Sequence, residues 1–217
     1  MDKKTLDKEI KILSQFNDKP KSRTKDFAYD NRVCYEGNLI IATDGKILVY
    51  KEVEENPDKV THYLTKRAGK YKKTVVNDME GRNQKVINSF DCDYDFTFTL
   101  DFDKELPLPD KLMAKWDRRY CNNKVYFDFD KNELHFAFNG GWENDDDDGC
   151  DAIYEDMFKD IDGRLPPAFD LTLFIWQLIN IMKFTKERTL LFSVNTSYKR
   201  IKIVAGQYTF LCLNVDY

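Results

Sequence analysis

Hydrophobic and polar positions along the chain alternate between two periods. Leu6, Ile10 and Leu13 recur at helical spacing and predict an amphipathic helix over Lys3–Phe16. Three β-prone runs follow: Phe27–Tyr35, Leu39–Thr43 and Lys46–Lys51. Tyr35-Glu36-Gly37-Asn38 reads as the turn between the first two, and Asp44-Gly45 as the turn between the second and third. Asp-Gly between β-prone runs favours a type I′ hairpin, because both central residues of that turn need a positive φ. The result is a three-strand antiparallel meander ending near Val53. Glu54–Asn88 has weaker patterning, with short strands at Val60–Leu64 and Thr74–Val76. Over Asp91–Phe102 the period is two: Phe96, Phe98 and Leu100 share one face, with Thr97, Thr99 and Asp101 on the other, as in a half-buried strand.

The second half repeats this order. Leu106-Pro107-Leu108-Pro109 leads into a helix reaching about Tyr120, with Leu112, Met113, Trp116 and Tyr120 as its apolar face. Strands are predicted at Lys124–Phe129, Glu133–Phe138 and Ile153–Met157, and Gly163 to Pro167 breaks the chain. A third helix, about Asp170–Phe184, is apolar on most sides, as a deeply buried helix is. Strands at Thr189–Asn195, Lys199–Ala205 and Tyr208–Val215 close the sequence. Helix followed by hairpin-linked strands thus recurs from near Lys3, Pro109 and Asp170. That order predicts an α+β fold with antiparallel sheets and helices gathered on one side, and excludes a doubly wound parallel sheet.

Composition narrows the function classes. The net charge of −4 is the balance of 34 basic and 38 acidic residues, which excludes a uniformly basic nucleic-acid binder. It leaves room for positive charge gathered on one face. Lys4, Lys8 and Lys11 form such a stripe opposite the apolar face of the first helix, and Lys111, Lys115 and Arg118 repeat the spacing on the second. By pattern alone a lysine stripe is a solvated helix face. The five cysteines, Cys34, Cys92, Cys121, Cys150 and Cys212, are scattered and suit a reducing cytoplasm. No apolar run approaches the length of a membrane span, so no membrane partner is expected.

Site chemistry is mostly lacking. Neither His62 nor His135 stands at a recognisable catalytic spacing from Ser, Cys or Asp, and no glycine-rich phosphate loop is present, so no cofactor is expected. Asn144 to Gly149 followed by Glu155 approximates the spacing of a calcium loop. Asn144 in the first ligand position, Asp151 in the usual apolar position and Gly140-Gly141 before the loop all favour a solvated acidic segment without metal.

Ala42 to Leu48 and Tyr208 to Val215, with three segments between them, resemble the bacterial DNA sliding clamps, the beta subunit of DNA polymerase III. Ala42-Thr43-Asp44-Gly45-Lys46-Ile47-Leu48 is similar to the family's A-T-D-G-x-R-L strand-turn-strand. Tyr208 to Val215 resembles its closing Y-x-V-M-P-M-R-L strand. Leu108-Pro109-Asp110-Lys111-Leu112 resembles I-P-R-K-A, Asp162-Gly163-Arg164-Leu165-Pro166 resembles D-G-R-F-P-D-Y, and Phe169–Ile181 resembles a family helix. The segments occur in compatible order over most of the chain and leave Glu54–Asn88 unmatched.

The resemblance implies a non-enzymatic fold of repeated helix-plus-strand units, with helices facing duplex DNA and sheets outside. It divides the chain into residues 1–104, with an atypical insertion at about 54–90, and 105–217. It implies that Lys4, Lys8, Lys11, Lys111, Lys115 and Arg118 contact phosphates without reading sequence. It also implies an apolar pocket for a short linear peptide of a DNA polymerase or other replication protein. Thr43, Gly45, Lys46, Ile47 and Leu48 match one half of that pocket, and Leu211, Cys212, Leu213 and Asn214 the other. Ile47 and Asn214 stand where the family has arginine, and Leu211-Cys212-Leu213 replaces Met-Pro-Met, giving up methionine's adaptability and a rigid proline. The chain is shorter than a three-domain clamp protomer, so a closed ring would need more protomers, as a homo-oligomer, or none forms. Two other readings stay open: a clamp-fold interaction module without DNA binding, and an enzyme built on the carboxylates near Asp145–Glu155.

Overall fold

The computed structural model describes residues 1–16, 32–43, 47–65, 71–75, 82–102, 124–137, 152–163, 173–174, 181–182, 185–198 and 200–213. The chain divides into two compact units. The first comprises Met1–Asp93 with Arg200–Leu213, and the second Tyr94–Lys199 with Asn214–Tyr217.

The first unit opens with α1 (Lys3–Leu13), continued by a 3-10 turn at Ser14–Phe16. Asp2 caps the helix, accepting hydrogen bonds from the Lys4 and Thr5 amides at 2.9 and 3.0 Å. The Thr5 hydroxyl bond and then the amide bonds hold the Asp2 carboxyl below the usual range. The apolar face is as expected, with Ile10 and Leu13 buried. Strands β1 (Arg32–Glu36), β2 (Leu39–Thr43) and β3 (Ile47–Glu52) form the expected meander. Gly37, at φ 54°, provides the left-handed step of the β1–β2 turn. The β2–β3 ladder ends at the pair Thr43–Leu48, where a two-residue Asp-Gly turn would pair Thr43 with Lys46. The Thr43 hydroxyl donates to the Ile47 carbonyl at 2.7 Å across the closing loop. A register shift of two leaves each side chain on its expected face.

β4 (Val60–Thr65) and β5 (Tyr71–Val75) extend the sheet beyond β1. The crossing that carries the chain from β3 back to β1 is held by Asn56. Its buried amide donates to the Tyr35 carbonyl at 2.8 Å and to the Thr61 hydroxyl at 3.2 Å. β13 (Arg200–Ala205) and β14 (Tyr208–Leu213) complete the unit, giving the order β13-β14-β3-β2-β1-β4-β5, antiparallel at every pairing from β13 to β5. Helix α2 (Arg82–Ser89) lies in the stretch that sequence left as weak strands and connections.

In the second unit β6 (Phe96–Asp101) alternates buried and half-buried residues as its pattern predicts. It lies between β10 (Phe158–Gly163) and β12 (Thr189–Asn195). A second sheet has the order β11-β7-β8-β9, from Leu173–Phe174, Lys124–Asp128, Glu133–Ala137 and Ala152–Glu155. Phenylalanines fill the core: Phe98 stacks on its cross-strand partner Phe192 at 4.7 Å and meets Phe127, Phe129 and Phe158 edge-on within 5.7 Å.

One expected helix is corrected. Leu173 and Phe174 pair as strand with Val125 and Lys124, so the helix expected over about Asp170–Phe184 does not run through them. Ile181, Met182 and Thr185 are helical. A continuous apolar run fits a buried strand as well as a buried helix, and the open edge of β7 decides for strand at its start. The expected helix after Pro109 and most of the acidic 144–155 loop lie outside the described residues; of the loop, Ala152–Glu155 is β9.

Candidate functional site

The two halves of the expected peptide pocket meet on neighbouring strands. β14 pairs with β3 so that Leu211 stands opposite Leu48, and Cys212 opposite Ile47. Antiparallel partners share a face, so each pair projects to one side of the sheet. Residues 47–48 and 211–212 are far apart in sequence, and it is the return of β14 that brings them together.

Alternation sends the two pairs to opposite faces. Val49, Lys51, Tyr208 and Phe210 share the Ile47–Cys212 face, which α1 covers. Phe16 meets Phe210 edge-on at 5.4 Å. Glu9 of α1, only 4% exposed, accepts from Lys51 Nζ and from the Tyr208 hydroxyl, both at 2.7 Å. Burial and then the Glu9 bond push the Tyr208 phenol up. Sequence reading missed Glu9, since a carboxylate in an amphipathic helix reads as solvated. Ile47 and Cys212 are buried on this side, the side that α1 covers.

Leu48 and Leu211 lie on the other face, 6% and 3% exposed. They belong to one apolar cluster with Cys34, Leu39, Ile41, Val60 and Phe90, against which Tyr50 and Ile87 pack. Phe90 follows α2 and Ile87 lies within it, so the described cover on this face is α2. The Arg200 guanidinium sits 5.7 Å from the Phe90 ring centre and donates to the Ser89 carbonyl. Thr43 is half-buried at the end of the same face. Leu213 closes the β14 ladder opposite Arg200. Gly45, Lys46 and Asn214 lie outside the described residues.

Of the expected phosphate contacts, Lys4, Lys8 and Lys11 are exposed on α1, on the side away from buried Ile10 and Leu13. Lys111, Lys115 and Arg118 lie outside the described residues. Among the described residues no group of three His, Cys, Asp or Glu side chains is arranged to hold a metal ion. No described helix is long and apolar enough to cross a membrane.

No protein-family model matches the chain, and no curated protein matches it in sequence. Solved structures do match it in fold. The DNA polymerase III subunit beta of Borrelia burgdorferi, in complex with a natural product, aligns over 100% of this chain with TM-score 0.66 and 11% identity. The DNA polymerase sliding clamp of Bacillus subtilis aligns over 98% with TM-score 0.63 and 11% identity. The Helicobacter pylori beta clamp, bound to a DNA ligase peptide, aligns over 98% with TM-score 0.57 and 12% identity. The chain spans 63%, 63% and 64% of those three proteins, somewhat under two thirds of each. At these identities the likeness is one of fold: the chain has an α+β, sliding-clamp-like architecture of antiparallel sheets with packed helices.

Proposed function

We propose that this protein is a non-enzymatic, sliding-clamp-like factor that cradles or encircles duplex DNA without reading its sequence and tethers a partner through a short linear peptide. The observation that carries the reading is the β3–β14 pairing, which sets Leu48 beside Leu211 within a clamp-like fold. The partner is a DNA polymerase or another replication protein, and the peptide's apolar side chains are recognised at Leu48 and Leu211 with Thr43 at the margin. That a clamp of similar fold is bound to a DNA ligase peptide supports this class of partner.

The DNA half rests on α1. Lys4, Lys8 and Lys11 form an exposed row on a helix whose other side is fixed to the sheet by Ile10, Leu13 and Glu9. A rigid row of cations attracts phosphates and releases counterions, whatever the base sequence. Lys111, Lys115 and Arg118 would add a second row, and a closed ring would take a homo-oligomer. In fluorescence anisotropy, two unrelated duplexes should bind with equal affinity, and that affinity should fall steeply with salt. Reversing Lys4, Lys8 and Lys11 together to Glu should flatten the salt slope by about three, near one unit per lost phosphate contact. Absence of binding at low salt would leave the fold as an interaction module without a DNA role.

A further inference from the structure

The face that carries Leu48 and Leu211 already has an occupant. Phe90 and Ile87 are the members of its apolar cluster that do not come from the sheet. Both belong to the 82–90 segment, within the stretch at about 54–90 that has no counterpart in the clamp-like sequence pattern. Two apolar side chains presented from a short helical segment match what a linear peptide would place on the same surface. We propose that residues 82–90 act as a built-in lid, seated where the partner peptide docks, so that peptide capture requires α2 to lift. This rests on the peptide-binding reading given above.

The construction of α2 suits such a role. It has eight residues, too few to be stable as a helix without its packing. Val86 on the same helix is exposed. Its described attachments include Phe90 and Ile87 in the cluster, and Arg200 on the Phe90 ring and the Ser89 carbonyl. Segments held by few apolar contacts open more readily than the sheet beneath them. With the lid closed most of the time, the apparent dissociation constant for a peptide is the intrinsic one divided by the open fraction.

Two native thiols report the motion. Cys34 is buried beneath α2, whereas Cys212 is buried on the opposite face of the sheet. Burial, and then the nearby Glu36 carboxylate, push the Cys34 thiol up to about 12, so it reacts little while covered. N-Ethylmaleimide labelling of the native protein, resolved by residue, should be compared for the unaltered chain, Phe90→Ala and Arg200→Gln. The last variant loosens the latch and leaves the apolar cluster whole. Binding of a fluorescein-labelled copy of the DNA ligase peptide bound by the H. pylori beta clamp is measured on the same three proteins.

Both variants should label Cys34 at least about tenfold faster, leave Cys212 unchanged and bind the peptide more tightly by a similar factor. Equal acceleration at Cys34 and Cys212 would overturn the lid, because α2 would then open only with the whole unit. Selective exposure of Cys34 with the peptide bound equally by all three proteins would also overturn it, leaving the peptide-binding reading intact. Selective exposure with no peptide bound by any of them would remove the peptide-binding reading, and the lid with it.

Discussion

At the level of single residues, polar groups hidden beneath the helices were the least readable part of this chain. Glu9 looks like one more charge on a soluble helix; its partners Lys51 and Tyr208 come from strands far along the sequence. His62 is comparable. It lies on β4 opposite Cys34, 7% exposed, and its Nδ1 has no hydrogen-bond partner among the described residues. Burial, and then the positive charge of Arg32, lower its pKa, so it is neutral at pH 7. A histidine whose folded pKa lies below the unfolded value of about 6.5 takes up its proton more readily when unfolded. Its stabilising effect is therefore full above that pH and is lost as pH falls from there toward the folded pKa. Urea midpoints at pH 7.5 and 5.5 should differ more for the unaltered chain than for His62→Leu. Equal differences would show that His62 does not titrate with unfolding.

At the level of elements, what could be read followed the strength of the periodicity. β2, β3, β6 and β12 to β14 fall close to their expected positions, because period-two alternation or a turn dipeptide marks each of them. α2 was not legible: its eight residues include only Val86 and Ile87 as apolar positions, too few to trace a helical stripe. β11 was misread because apolar runs do not reveal their period. The return of β4 to the outer edge of β1 was also hidden, since it depends on hydrogen bonds in the crossing. There Asn56 bonds Tyr35 and Thr61 and accepts from the Asp58 amide at 3.1 Å. Asn56→Ala should cost about 1–3 kcal/mol, because it leaves buried backbone and hydroxyl groups without partners. Hydrogen exchange should show the loss as faster exchange in β4 and β5 with β2 and β3 little changed. Uniform acceleration across the first unit would mean that the crossing is not a separate support for β4.

At the level of the whole molecule, the sequence showed the repeating order of helix and strands but not which strands belong together. The last hairpin, Arg200–Leu213, is part of the first compact unit, where β14 lies against β3. That return creates the candidate site, and it was legible only through the paired resemblance of residues 42–48 and 208–215 to clamp segments. The proposal is that one protein holds duplex DNA through the α1 lysines and a partner peptide at Leu48 and Leu211. The direct measurement is recruitment of the fluorescein-labelled ligase peptide to immobilised duplex DNA at low salt, using the unaltered chain and the Phe90→Ala lid variant. Peptide should stay on the DNA only when the protein is present, more with Phe90→Ala, and should be lost when Lys4, Lys8 and Lys11 are all reversed to Glu. Protein retained on the DNA with no peptide recruited by either form would contradict the tethering role.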